Sequence, residues 1–151
     1  MNTAPDIRKP EAIVKEFNLT VAGLLKFLQY KFRREADIAN LNRLRDQMNL
    51  IKSTLGPQVL IEQASPFFIT NSDIIMDRAV YDKVAEKPES HPKYAEYIEI
   101  ASQDNKFIPS LINSITTQYK MAPPTEKTKL YGDIKGLFNC CLEYQLAVTT
   151  D

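Results

Sequence analysis

Residues 20–55 read TVAGLLKFLQYKFRREADIANLNRLRDQMNLIKSTL, thirty-six residues with no proline and one glycine, Gly23. In the second half, Ile38, Leu41, Leu44, Met48, Ile51 and Leu55 recur in steps of 3, 3, 4, 3 and 4, which keeps them on one stripe of an α-helix. Val21, Leu24, Leu25, Leu28 and Phe32 make a similar face in the first half. Asn18 or Thr20 can cap the start, and Gly56-Pro57 closes the run. The pattern predicts a single helix over 20–55, roughly 54 Å long at 1.5 Å per residue. A compact domain of this size does not cover such a length, so part of the stripe is expected to meet another helix or another chain.

Upstream, residues 1–17 hold Pro5 and Pro10 and offer only Ile13, Val14 and Phe17 as anchors. They read as an N-terminal arm, extended or a short helix from Pro10, ahead of one helical domain over 18–151. Downstream, prolines punctuate the chain. Pro57 opens a short helix to Ala64, and Ser65-Pro66 breaks it ahead of Phe67-Phe68-Ile69. Further helices are expected over Asp73–Ala85 and Lys93–Ser102, separated by a loop at 87–92. After a break at 103–105, Phe107, Ile108, Leu111, Ile112, Ile115 and Tyr119 form a strong helical face. A last helix runs from Glu126 to Val148 through Leu130, Ile134, Leu137, Cys141, Leu142 and Leu146. No segment alternates with the period of a strand. The fold class is all-α, a compact bundle of five to seven helices, with Leu41, Leu44, Met48, Ile51, Leu111, Ile115, Ile134, Leu137 and Leu142 in its core.

At 151 residues the chain fits one domain and is long enough to bury a core. Nineteen basic and nineteen acidic residues cancel, but unevenly along the chain. Residues 1–55 carry ten Lys/Arg against six Asp/Glu, net +4; residues 56–104 carry four against nine, net −5. The remainder carries five against four. A basic first third and an acidic middle favour oppositely charged surfaces, copies of the same chain included. A dedicated DNA coater would be strongly positive overall. Cys140 and Cys141 are adjacent, so on a helix they point about 100° apart and do not form an unstrained disulfide. That fits a reducing compartment. The N-terminus lacks the apolar core of a signal peptide. The most apolar stretch, 19–30, is too short to span a bilayer, which needs roughly 20 apolar residues.

Chemistry-bearing residues are few. His91 is the one histidine, in a proline-flanked loop where a solvated surface role is the ordinary one. Its neighbour Ser90 has no glycine-flanked nucleophile turn around it. Cys141 falls on an apolar stripe, the position of a buried structural thiol. No CxxC, HExxH or calcium-loop pattern occurs, and Glu96/Glu99 or Asp73/Asp77 without histidine partners read as solvated helix faces. The four glycines form no phosphate-cradling motif. The expectation is a protein that is not an enzyme and takes no cofactor or metal.

The strongest functional cluster is basic and aromatic: Lys26, Tyr30, Lys31, Arg33 and Arg34, with Phe27 and Phe32 interleaved. Such residues can neutralise phosphates and stack on bases. The plainer alternative has Phe27, Leu28 and Phe32 facing the core while the cations reach outward and pair with Glu35 and Asp37. Together with Ile38, Leu41 and Met48 on the apolar stripe, this cluster makes the candidate interaction surface.

The block Arg34-Glu35-Ala36-Asp37-Ile38-Ala39-Asn40-Leu41-Asn42-Arg43-Leu44-Arg45, continuing through Val59-Leu60-Ile61-Glu62 to Ser65-Pro66-Phe67, resembles small helical proteins of large icosahedral eukaryotic DNA viruses. In such viruses, helical minor capsid proteins lie beneath the major capsid shell and cement its capsomers. The resemblance covers about a fifth of the chain and carries over no functional residue. It implies a structural protein of the virion, assembled in the host cytoplasm, with major and minor capsid proteins as partners and self-association as a further contact. The competing expectations are a cytoplasmic homodimeric adaptor and a helical nucleic-acid-binding domain.

Overall fold

Pro10 takes the first position of a helix, where proline is tolerated, and from it helix α1 (Pro10–Lys31) runs without interruption. The computed structural model describes residues 8–103 and 107–149. Residues 10–17, expected as part of an arm, are the first two turns of α1. Three of their apolar side chains, Ile13, Val14 and Phe17, are buried, and burial on that scale fixes the segment in the core. Residues 1–7 of the expected arm lie outside the described residues.

The single helix expected over 20–55 is two. α1 stops at Lys31, Phe32 and Arg34 are extended (ψ 138° and 135°), and α2 (Glu35–Leu55) begins at once. No proline or glycine makes this corner. Charge and capping do: the Arg33 guanidinium donates to the Tyr30 carbonyl at 2.7 Å, satisfying an end carbonyl of α1. Lys31 sits at the negative end of α1, while Glu35 and Asp37 occupy the positive first turn of α2. Turning the chain lets α2 lie back against α1 and α3, so most of its stripe is covered within the molecule, Leu55 at the end excepted.

The α2–α3 corner is of the other kind. Gly56 has φ +104°, a conformation that side-chain-bearing residues rarely adopt, and a Cβ there would run into the Gln58 side chain. α3 (Val59–Thr70) then passes straight through Pro66, where a break was expected. The proline lacks the N–H that would reach the Glu62 carbonyl, but Glu62 is exposed and water can serve it, while Ser65 Oγ donates to the Ile61 carbonyl at 2.8 Å. The helix expected over 73–85 is divided in turn. α4 (Ser72–Ile75) ends before Asp77, whose carboxylate accepts from the Ala79 N–H at 2.9 Å and caps α5 (Arg78–Glu86).

A 3₁₀ turn at Pro88–Ser90 leads into α6 (Pro92–Gln103). The expected break at Asp104-Asn105 lies outside the described residues. α7 (Phe107–Met121) and α8 (Pro124–Thr149) complete an all-α bundle of eight helices, with no strand among the described residues. α8 is the spine, packed against α1, α3, α4 and α7. Its direction relative to α1 follows from two contacts: Cys140 and Glu143 lie by Glu16 and Arg8, and Glu126 lies by Lys31, so the helices are antiparallel. α3 is also antiparallel to α8, with Phe68 edge-on to Phe138 at 6.3 Å. A tyrosine cluster, Tyr81, Tyr119 and Tyr131, ties α5, α7 and α8.

Of the nine expected core residues, Leu41, Met48, Leu111, Ile115, Ile134 and Leu137 are buried, and Leu44 and Ile51 pack half-buried against the core. Leu142 is exposed, at 45%. Each step of four along a helix advances the side chain by about 40°. Ile134, Phe138, Leu142 and Leu146 therefore walk round α8, and the last two leave the core sector that Leu137, Cys141 and Tyr144 occupy.

Candidate interaction surface

The α1–α2 corner distributes the expected surface residues to three different fates. Lys26, Tyr30, Arg33 and Arg34 are exposed around the corner, Tyr30 to 71%. Lys31 is half-buried: its ammonium lies 3.0 Å from Glu126 of α8 and over the rings of Phe27 and Tyr30, at 5.6 and 5.9 Å. Its charge is thus engaged by α8 and not by Glu35 or Asp37. Ile38 is half-buried, whereas Leu41 and Met48 are buried and form the seam under α2, so neither is available to a partner. Phe27 and Phe32 pack half-buried against the core, as the plainer alternative held, and Leu28 is fully inside.

α2 itself is the least enclosed of the long helices. Leu41 and Met48 are its only buried residues, and Leu50 and Leu55 stand 68% and 59% exposed. Hollows flank it. A cleft of about 650 Å³ separates it from α7, with Asp37 and Arg43 on one wall and Ser110 and Ser114 on the other. A notch of about 320 Å³ at its end joins Leu50, Ile51 and Leu55 to Phe107. On the α1 side two further hollows, about 600 and 280 Å³, meet at Asn18, Ala22 and Lys52.

The residues with catalytic names are placed otherwise. Ser90 Oγ donates to the Lys87 carbonyl at 2.6 Å and is not aligned with His91. His91 Nε2 lies 3.9 Å from Asp73. Among the described residues, no three His, Cys, Asp or Glu side chains are placed to hold a metal ion. Burial pushes the Cys141 thiol up to about 12, and Cys140 likewise, by burial first and then by its contact with Glu16 at 3.1 Å. No described helix is long and apolar enough to cross a membrane.

One cluster was not foreseeable. Arg8 grips Glu143 with two bonds of 2.7 and 2.6 Å and Glu16 with one of 2.8 Å. The guanidinium holds both carboxyls below the usual carboxylate range, for Glu16 with help from the Cys140 thiol. Arg8 and Glu143 are 135 positions apart, and no local spacing announces such a pair. The grooves along α2 were hidden for a related reason, since they exist only once the chain turns at 32–34. Compared with protein-family models, curated proteins and solved structures, the chain matches none.

Proposed function

We propose that this protein is a non-catalytic structural or adaptor component that works through protein–protein contacts in a larger assembly. One observation carries the reading: α2 is a full-length helix with two buried residues, exposed leucines and a hollow on either flank. Contiguous apolar surface left open on a folded domain marks a site of interaction. The surplus does not come from helix length, because α1 and α2 fold back on each other; it comes from Leu50 on the outward side of α2 and from Leu55 at the uncovered end of its stripe. The assembly we propose is a viral capsid, with this chain as a minor, cementing subunit; the resemblance of residues 34–67 supports that choice.

The test has two arms. Purified virions are probed for the protein, and the free chain is run by size exclusion with light scattering at two concentrations, alone and with candidate capsid subunits. Leu50→Glu combined with Leu55→Glu should abolish the association and leave the fold intact. A chain that stays monomeric at high concentration, binds no capsid component and is absent from virions refutes the proposal. Retention on single-stranded DNA at moderate salt, lost on Arg33→Glu and Arg34→Glu, would transfer the function to nucleic acid.

A further inference from the structure

We propose that the trough between α1 and α2 is a docking groove for an acidic amphipathic helix of a partner protein. This rests on the protein–protein reading above and specifies the partner's chemistry at one surface. The two hollows on that side run end to end along α1 from Pro10 to Gln29, a path of roughly 28 Å at 1.5 Å per residue. The facing wall is α2 through Arg45, Asn49 and Lys52, continued by Pro57 and Gln58. The floor is apolar, with Val14, Val21, Leu25 and Met48 buried beneath it, and exposed Leu19 and Ala22 sit at the lip.

Charge selects the ligand's edges. Lys15, Lys26, Arg45 and Lys52 line the trough against a single carboxylate, Glu11. Arg45 leans on exposed Asp46 at 3.3 Å, whereas Lys15, Lys26 and Lys52 have no carboxylate partner among the described residues. The complement is aliphatic in the middle and anionic on both sides. Shape selects among such ligands. The trough is long and lipped by exposed Leu19 and Ala22, which suits a helix laid into it by one face, whereas a lone acyl chain is held by enclosure. At the joint of the two hollows, Asn18 donates from Nδ2 to the Pro57 carbonyl at 2.9 Å.

The probe is a fluorescent synthetic helix of about 20 residues, with leucines at i, i+3, i+4 and i+7 flanked by glutamates; a control peptide carries lysines instead. Titrated with the full chain, the glutamate peptide should bind, with affinity falling as salt rises, and the lysine peptide should bind at least about tenfold more weakly. Lys15→Glu with Lys52→Glu should cost about tenfold or more, and Ala22→Trp, filling the joint from its exposed lip, should abolish binding. Lys93→Glu, on α6, should change nothing. Thermal melts by circular dichroism verify that each variant is folded. No binding of the glutamate peptide, equal binding of the lysine peptide, or undiminished binding by Ala22→Trp overturns the proposal. Sedimentation with phosphatidylserine vesicles that Ala22→Trp blocks, without peptide binding, overturns it in favour of a membrane. An assembly that survives Ala22→Trp but falls apart with Leu50→Glu/Leu55→Glu leaves the protein–protein reading standing and removes this one alone.

Discussion

α2 and α8 are both long, twenty-one and twenty-six residues, yet α8 buries eight side chains and α2 buries two. Apolar content is not what separates them. On α2, Leu41, Leu44, Met48 and Ile51 keep within a sector of about 80° of the helix circumference; the buried residues of α8 spread over about 180°. A narrow seam lets a helix be applied to a surface. A broad one lets it be surrounded, as α8 is by α1, α3, α4 and α7. The period of an apolar pattern predicts that a helix exists, and its angular breadth predicts how deep that helix sits.

Reactivity should separate the two helices most. The thiols of Cys140 and Cys141 are buried and pushed up to about 12, so at pH 8 they are protonated as well as hidden. They should react with a disulfide reagent only when α8 opens. A cysteine placed at exposed position 50 by Leu50→Cys should react about a thousandfold faster or more. Comparable rates, followed by absorbance, would mean that α8 is not the protected element.

The energetic contrast comes next. Leu137→Ala, at a fully buried site on α8, should cost about 2–5 kcal/mol in denaturant unfolding. Leu44→Ala, half-buried on α2, should cost about 1 kcal/mol. Equal losses would break the comparison, and no loss at either site would break the assignment of both apolar stripes.

The Arg8 clamp is a smaller effect and carries a pH signature. Glu16 and Glu143 have folded-state pKa values below their unfolded ones, so their contribution is complete above about pH 5 and is lost as pH falls through the folded values. The groups are largely solvated, so Arg8→Ala should cost about 0.5–1 kcal/mol at pH 7. The gap between parent and variant should close once acidification has taken both carboxyls below their folded-state values. A gap that persists there would mean that Arg8 acts through packing and not charge. The smallest expected change is at Leu142→Ala: within about 0.5 kcal/mol of the parent, although the residue is a leucine on the spine helix. A core-sized loss there would show that α8 is enclosed on its outer side too.

What could be read from sequence was whatever local chemistry decides. α7, α6, the turn at 87–92 and the ends of α8 follow from 3–4 spacing and from proline, glycine and capping residues within a few positions. The corner at 32–34 was missed because it has none of these. Its signal was electrostatic: the change from Lys31, Arg33 and Arg34 to Glu35 and Asp37 marks the negative end of one helix and the positive end of the next. Pro66 misled in the opposite sense, because Pro66 and Glu62, whose carbonyl it leaves without its helical partner, are both exposed on α3, where water can serve that carbonyl. Of the expected surface, the exposure of Lys26 and Tyr30 was legible from the polar side of α1, whereas Arg33 and Arg34 lie in the corner itself. Leu41 and Met48 were legible as apolar stripe, but whether another chain or this one covers it depends on the corner.

The pairing of α1 with α8 has a consequence for how the protein is made. α1 ends at Lys31 and its main partner does not begin until Pro124. During synthesis the face bearing Ile13, Phe17, Val21, Leu24 and Leu28 leaves the ribosome before α8 and waits for almost the whole of the intervening chain before its main partner can cover it. Closing so distant a contact is entropically slow, and the neighbours in sequence from which bundles gain their usual folding speed, here α2 and α3, cover the smaller part of α1. Nascent chains stalled before α8 should therefore hold α1 against chaperones, and release of the spine helix is the step that frees them.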